Sequence, residues 1–405
     1  MPPQLILALP FSLTKMHLFI NALAASAGGG LTYLRNVIPH LATRDGTRTT
    51  VLLSRKVRSE FSESTNVSFL PADDFPQTAR RFWFEQRAVP RFLQQRSADI
   101  LLSTGNFAVR NPSVPQILLS RNALYTSRQF EDDLRARGEF RLWIDHQLKK
   151  AAAKWSIGAA DYTVAPSEAF AQELRAWTGK EITAIHHGFD RSAFVRDTAP
   201  LSDAIQSQLN SKNGALRILF VSHYNYYRNF ETLFRALPLI KLKLAPRPVG
   251  LFLTCQLAPG ANPGSYRANS AAALVRDLGI SNQVTELGAV PYKSLYQIYR
   301  SADIYVSPAY AESFAHPLVE AMSSGLPVVA SNLAIHKEIC GRAALYFDTF
   351  SAHELADRIV QIAQSSTLHA QLSLAGAARS TAFSWKVHVE RILALGSELC
   401  CVRRR

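Results

Sequence analysis

Cysteine is scarce in this chain. Its four cysteines, Cys255, Cys340, Cys400 and Cys401, are scattered without metal-ligand spacing, and an adjacent pair near the C-terminus is a poor disulfide framework. A disulfide-stapled secreted domain and a zinc module are thereby disfavoured, and free thiols in a reducing cytoplasm are expected. Long apolar runs are missing too. No stretch of about 18 uninterrupted apolar residues occurs, so no membrane-spanning helix is expected. There is no repeat at solenoid periods and no low-complexity segment. The glycines never form G-x-G-x-x-G, and the strand-like TVLLSRK ends in Ser54 and Arg55 instead of an acid, which argues against a dehydrogenase. No D-x-D occurs, so no metal site and no cofactor are expected.

What is present suits a globular protein of two domains: 405 residues, 47% hydrophobic and 19% charged. The net charge of +14 divides evenly, +7 on each side of residue 200. Such a surface suits nucleic acid, anionic headgroups or phosphorylated substrates. No nucleic-acid-binding module appears, so no nucleic-acid partner is expected. Residues 1–15 are apolar, yet they lack a basic start and a small-residue cleavage site. MHLFINAL reads as a first strand, with Met16 as the true start and residues 1–15 as an extension.

Short β-type runs alternate with helical patterns, the signature of parallel sheets covered by helices on both faces. In the first half the strand candidates are His17–Ala22, Thr50–Leu53, Val67–Leu70, Ile100–Ser103, Gln116–Leu119, Tyr162–Ala165 and Ile182–His186. In the second they are Arg217–Ser222, Gly250–Thr254, Val284–Leu287, Ile304–Ser307, Val328–Ser331 and Ala344–Phe347. Helices are expected over Tyr33–Ala42, Ser167–Ala176 with Ser167 as N-cap, Phe230–Ile240, Ala271–Leu278, Tyr292–Ser301, Pro317–Ser323 and Trp385–Leu399. Polar residues 197–214 mark the junction. The expected domains are 16–200 and 201–384, followed by a final helix and basic tail over 385–405.

The most informative stretch is SPAYAESFAHPLVEAMSSGLPVVASN, Ser307–Asn332. A buried strand runs into a loop, and Pro317 then opens a helix, where its missing amide costs nothing. Glu320 is expected in the first turn. The amides around Ala315, His316 and Leu318, with the positive end of the helix dipole, form a phosphate seat. A carboxylate beside that seat repels phosphate but accepts hydrogen bonds from a vicinal diol such as a ribose. Glu312, on the loop, suits sugar hydroxyls. The pair thus fits a ligand with a diol, a diphosphate and a second polyol, which is a nucleotide-sugar. The alternative is that Glu320 only complements the helix dipole and Glu312 is a solvated loop residue.

ESFAHPLVEAMSSGLPVVAS resembles the E-x7-E signature of glycosyltransferase family 4, retaining enzymes of the GT-B fold, and the order of the other motifs extends the resemblance over about Met16 to Leu395. It implies two Rossmann-like doubly wound α/β domains facing across a cleft, with the donor mostly on the second, the acceptor mostly on the first, and a last helix crossing back. It implies that Glu320 holds the nucleotide ribose and Glu312 contacts the donor sugar. Ser313, Phe314, Ala315, His316, Pro317 and Leu318 then border the donor. Ala315 departs from the family's usual glycine.

The resemblance carries over to other strand ends. In FVSHYNYYRNFETL the family's Arg and Lys, which grip the diphosphate, correspond to His223 and Arg228. Arg228 has the planar fork for phosphate oxygens, and His223 is a weaker substitute. In SAGGGLTYLRNV, Gly28, Gly29 and Gly30 stand where a glycine pair faces the donor phosphate. Arg121 and Asn122, in ILLSRNALYT, match a polar pair close to the transferring sugar. His187, Gly188 and Asp190 read as rim and hinge residues, and Trp385 as packing. ARRFWFEQRAVPRFLQQR, Ala79–Arg96, mixes arginine with aromatics. It suits contact with an anionic membrane or an amphipathic helix packing Phe82, Trp83 and Val89 inward, and Pro90 is expected to break it.

The expected activity is transfer of a sugar, with retention, from a nucleoside diphosphate sugar to a saccharide or lipid-linked acceptor, in polysaccharide or glycolipid synthesis at the inner face of the membrane. A non-catalytic nucleotide-sugar binder is the alternative.

Overall fold

In a computed structural model the described residues are 16–25, 28–75, 77–196, 198–264 and 266–404. The extension expected at residues 1–15 lies outside them. Among the described residues thirteen strands form two largely parallel sheets. The first contains β1 (Met16–Asn21), β2 (Thr47–Ser54), β3 (Val67–Ala72), β4 (Ile100–Ser103), β5 (Gln116–Leu119), β6 (Tyr162–Ala165) and β7 (Thr183–Ala184), in the order β3-β2-β1-β4-β5-β6-β7. The second contains β8 (Leu216–Phe220), β9 (Val249–Leu253), β10 (Val284–Glu286), β11 (Ile304–Ser307), β12 (Val328–Ser331) and β13 (Ala344–Phe347), in the order β10-β9-β8-β11-β12-β13.

The strands are short, apolar and β-branched because helices cover both faces, so there is no solvent side to call for alternation. Phe19, Ile20, Leu52, Leu101 and Ile117 are fully buried in the first sheet, and Ile218, Leu219, Val306 and Val329 in the second. Removing each such side chain from water contributes about 1.5–3 kcal/mol. Each sheet reverses its strand order once, between β1 and β4 and between β8 and β11. Ligands of doubly wound sheets sit at the carboxyl ends of the strands flanking that reversal.

Contacts divide the chain into two compact units elsewhere than at residue 200. The first takes the described residues up to Ser120, Ala153–Val164 and the residues from Val389 on, and the second takes Arg121–Ala152 and Ala165–His388. Specific bonds hold the early segments to the second unit. The Tyr310 hydroxyl donates to Asp133 at 2.7 Å, Arg137 pairs with Glu231 at 3.0 Å, and the Tyr226 hydroxyl donates to Glu139 at 2.7 Å. Glu338 accepts the amides of Glu168 and Ala169 at 2.8 and 2.6 Å.

Two expectations for Ala79–Arg96 are corrected. Pro90 does not break the helix, which runs Thr78–Gln95. Proline also sits inside the helices Gly28–Ala42 and Phe230–Leu244. In all three a buried apolar face outweighs the roughly 3 kcal/mol that an interior proline costs. Trp83 does not pack inward but is 58% exposed, while Val89 is buried as expected. The sequence reading also placed no element between Leu119 and Tyr162, where the helices Arg128–Ala136 and Phe140–Ala159 lie.

Candidate active site

The two loops at the reversal of the second sheet meet. After β8 the chain passes His223, makes a single turn at Tyr226–Arg228 and enters the helix Phe230–Leu244. Asn229 holds that corner in the left-handed conformation, φ 55°, and its amide donates to the carbonyls of Pro308 and Thr349 at 3.1 and 2.8 Å. The corner thereby directs Arg228 towards the loop that follows β11. There Arg228 Nη1 donates to Glu312, whose other oxygen accepts the Ser313 amide at 3.2 Å.

Both partners of this ion pair are largely buried. Burial alone would neutralise each, yet the guanidinium holds the Glu312 carboxyl below its ordinary range, and Glu312 raises Arg228 in turn. The face of Tyr227 lies 5.2 Å from the guanidinium carbon. The Arg228 Nε–H is buried with no acceptor among the described residues. His223 stands differently: burial first, and the Arg228 charge second, hold it below the usual histidine range, so it is neutral near pH 7.

After β11 the loop ends at Ala315, whose φ of 65° and ψ of 58° are left-handed. The glycine that the resemblance implies at this position would adopt that region without the penalty a Cβ brings. The departure therefore acts on backbone strain as well as on crowding. The helix His316–Ser323 follows, with Pro317 in its first turn. Leu318, expected to border the donor, has its side chain buried in the core and its amide donating to the Ala315 carbonyl at 3.0 Å. Phe314 is also buried, against the rings of His187, His316 and Phe383, so it offers only backbone. The Ser313 carbonyl is taken by the Ser167 hydroxyl at 2.8 Å.

Glu320 is the fifth residue of the helix, just past the first turn in which it is expected. It is buried and accepts the Tyr299 hydroxyl at 2.8 Å. Burial pushes its carboxyl up to about 7, a rise only partly opposed by that hydrogen bond. Tyr299 was not singled out in the sequence. It lies 21 residues away on another helix, and nothing local marks it.

His316 is held by groups that sequence reasoning had read as rim and packing. Its Nε2 lies 3.2 Å from His187 Nδ1, and its ring stacks on Trp385 with centroids 5.8 Å apart. Trp385 thus packs as expected, against His187, His316 and His388. Burial lowers His316 to about 4, so it is a neutral hydrogen-bonding ring. Arg121 is close enough to contribute to that lowering. Asn122 is used locally: its side-chain oxygen caps the turn Ala123–Tyr125, accepting the Leu124 amide at 3.1 Å. The first unit offers Gly28, Gly29 and Gly30 at the start of the helix Gly28–Ala42, right after β1. Gly28 has φ 56°, and a Cβ on Gly28 or Gly29 would meet no atom within 4 Å.

Comparison with known proteins bears on this arrangement. The model for Glycosyltransferase Family 4 matches residues 27–193, and that for Glycosyl transferases group 1 matches residues 202–379. The chain belongs to glycosyltransferase family 4. Among relatives, D-inositol 3-phosphate glycosyltransferase of Mycolicibacterium smegmatis is 27% identical over 258 residues, 61% of this chain and 55% of that protein. The chain thus spans about half the length of the curated relatives it matches. Among solved structures, sucrose-phosphate synthase from Thermosynechococcus elongatus has a TM-score of 0.74 at 18% identity, covering 96% of this chain and all of that one. Anabaena HepE in complex with UDP-glucose has a TM-score of 0.67 at 16% identity, covering 95% of this chain and all of that one. These likenesses establish the GT-B fold of this family 4 member.

Proposed function

We propose that this family 4 protein transfers a sugar from a nucleoside diphosphate sugar to an acceptor hydroxyl, with retention at the anomeric carbon and without a metal. The observation that carries the reading is the convergence, at the reversal of the second sheet, of the Arg228–Glu312 pair with the helix start that leads to buried Glu320. In this reading the Glu320 carboxylate accepts the ribose diol. The helix start and Arg228 stabilise the diphosphate as it leaves, the main catalytic contribution. Glu312 and His316 border the sugar, with Arg121 beside them. The bond from the anomeric carbon to the phosphate oxygen breaks, the acceptor oxygen bonds to that carbon on the same face, and its proton passes to the leaving phosphate.

Glu312, engaged by Arg228 and the Ser313 amide, is better placed to orient than to attack, which favours a route without a covalent intermediate. The relative named D-inositol 3-phosphate glycosyltransferase and the HepE complex with UDP-glucose support a nucleotide-sugar donor and a polyol acceptor. A saccharide or lipid-linked acceptor of surface polysaccharide or glycolipid synthesis is the corresponding role.

The test is incubation with a panel of UDP-, GDP- and dTDP-sugars, following thermal shift and nucleotide release, beside Glu320→Ala. One donor that stabilises and is slowly hydrolysed, both effects lost in the variant, is expected. Stabilisation without turnover in the presence of acceptors would favour a non-catalytic nucleotide-sugar binder, a reading that neutral His223 in place of a cation keeps in view.

A further inference from the structure

The two loops that carry Arg228 and Glu312 share a third neighbour within the second unit, the helix Arg128–Ala136. Ser127 caps its start, accepting the Phe130 amide at 3.2 Å. Its apolar face joins the core around the second sheet. Phe130 and Leu134 are buried there, and Phe130 meets Tyr227 edge-on at 6.1 Å. Asp133 and, one turn on, Arg137 stand on one face, and Arg137 Nε donates to Asp133 at 2.6 Å.

Each of these two residues reaches one loop. The second Asp133 oxygen accepts the Tyr310 hydroxyl at 2.7 Å, and Tyr310 lies two residues before Glu312. Arg137 pairs with Glu231 at 3.0 Å. Its guanidinium carbon lies 4.2 Å from the centre of the Tyr226 ring, two residues before Arg228. Glu231 also accepts the Tyr224 hydroxyl at 3.2 Å, and Glu139, just past Arg137, accepts the Tyr226 hydroxyl at 2.7 Å. The Tyr310 amide closes the circuit by donating to the Tyr227 carbonyl at 2.9 Å. Burial would lower Arg137, yet Glu231 and Asp133 raise it, so the charge that joins the loops is permanent.

We propose that the helix Arg128–Ala136 is a clamp that sets the Arg228–Glu312 pair, with Asp133 and Arg137 as its positioning residues. Arg228 and Glu312 come from separate loops, so the place of the pair follows the loops that carry it. The clamp holds both loops to one rigid body, because a single helical turn reaches within two residues of each member of the pair. A helix that only packed would need no more than Phe130 and Leu134. Ion pairs and tyrosine hydroxyls in a partly buried network carry a desolvation cost, and what they add is a defined geometry. Reacting groups are sensitive to such geometry, since a misplacement of about 1 Å loses about a hundredfold in rate. The consequence for turnover rests on the transferase reading, and the consequence for the loops does not.

The experiment is hydrogen–deuterium exchange of the full chain without ligand, reading peptides over residues 222–229 and 308–315. Tyr310→Phe removes the hydroxyl that ties the loop after β11, and Arg137→Gln removes the charge that ties the loop after β8. Tyr310→Phe keeps its ring, so it remains informative if Arg137→Gln folds poorly. Each variant is expected to raise exchange severalfold in both loops, because the clamp joins them. Kinetics follow with whichever nucleotide-sugar of the UDP-, GDP- and dTDP-sugar panel the parent turns over. Arg137→Gln and Asp133→Asn are expected to lose about tenfold or more in kcat, with KM for the donor within about twofold of the parent. Arg137→Lys, which keeps the charge but not the fork, should recover part of that loss. Variants that change only the melting temperature, with loop exchange and kcat as in the parent, overturn the proposal. So does a rise in exchange confined to the loop that lost its bond. If the parent turns over no donor of the panel, the transferase reading fails while exchange still decides the clamp, so the two failures are separate results.

Discussion

Arg228 donates to Glu312 across the two loops that meet where the second sheet reverses, and both side chains are largely buried. The sequence assigns the two residues separate tasks, one on a diphosphate and one on a sugar. The structure makes each the other's counter-charge. A buried pair costs little while intact and much when halved. Arg228→Met and Glu312→Leu are each expected to lose about 3–5 kcal/mol in urea denaturation, and the double variant far less than the two losses combined. Additive losses would show that the two residues are not coupled.

If Glu320 accepts the donor ribose as proposed, stability and donor binding should respond to pH in opposite directions. Its carboxyl lies at about 7 in the folded protein against an ordinary value of 4.5. Between those values the folded state takes up the proton and the unfolded chain does not, so this group's contribution to stability falls as pH rises through that window, by about 3 kcal/mol in all. Glu320→Gln should therefore melt higher than the parent at pH 8 and with it below pH 4.5. The thermal shift produced by whichever nucleotide-sugar of the panel stabilises the parent should grow from pH 6 to 8 and be absent in Glu320→Gln. A pH-independent difference between the two proteins would remove Glu320 from this role.

His223 is neutral near pH 7 because burial and Arg228 lower it. His223→Arg restores a permanent charge beside the proposed diphosphate. It is expected to raise kcat/KM for the donor about tenfold at pH 7.5, the equivalent of one charge-assisted hydrogen bond. Unchanged steady-state kinetics would mean that position 223 does not face the leaving group.

Gly188 is fixed by close approach. A Cβ there would lie 1.9 Å from the Trp385 nitrogen and 2.4 Å from the Ser384 carbonyl carbon, both backbone atoms. Gly188→Ala should cost more than about 3 kcal/mol, because backbone must move to admit it. A melting temperature within a degree or two of the parent would contradict this packing.

Ala315 holds a left-handed conformation at the mouth of the helix His316–Ser323. Ala315→Gly relieves about 1–2 kcal/mol of backbone strain and returns part of it as unfolded-state entropy, so a small gain in melting temperature is expected. Ala315→Val should destabilise, its branched Cβ being still less tolerated there. Equal melting of the two variants would refute the conformational reading.

Much of the fold is legible in the chain. Six strands, from Ile100–Ser103 to Ala344–Phe347, fall on the residues expected, because a doubly covered parallel strand is a compact apolar run with turn residues at each end. Ser167 caps its helix as read, accepting the Phe170 amide at 3.2 Å. What escaped were helices whose pattern is not cleanly two-faced. Phe140–Ala159 is apolar towards both the core and solvent, so its periodicity cancels. Pro90 misled because a local penalty was weighed without the burial that outweighs it.

By itself the sequence nominated residues for the proposed site: Glu312, Glu320, Arg228 and His316 stand out from the strand ends they follow and from the family resemblance. The tertiary structure decided their state. Tyr299 and Tyr227, His187 and Trp385 come from distant parts of the chain, and they set which groups are paired, stacked or neutral. Charge state depends on burial and on neighbours a few ångströms away, and only folding brings those together.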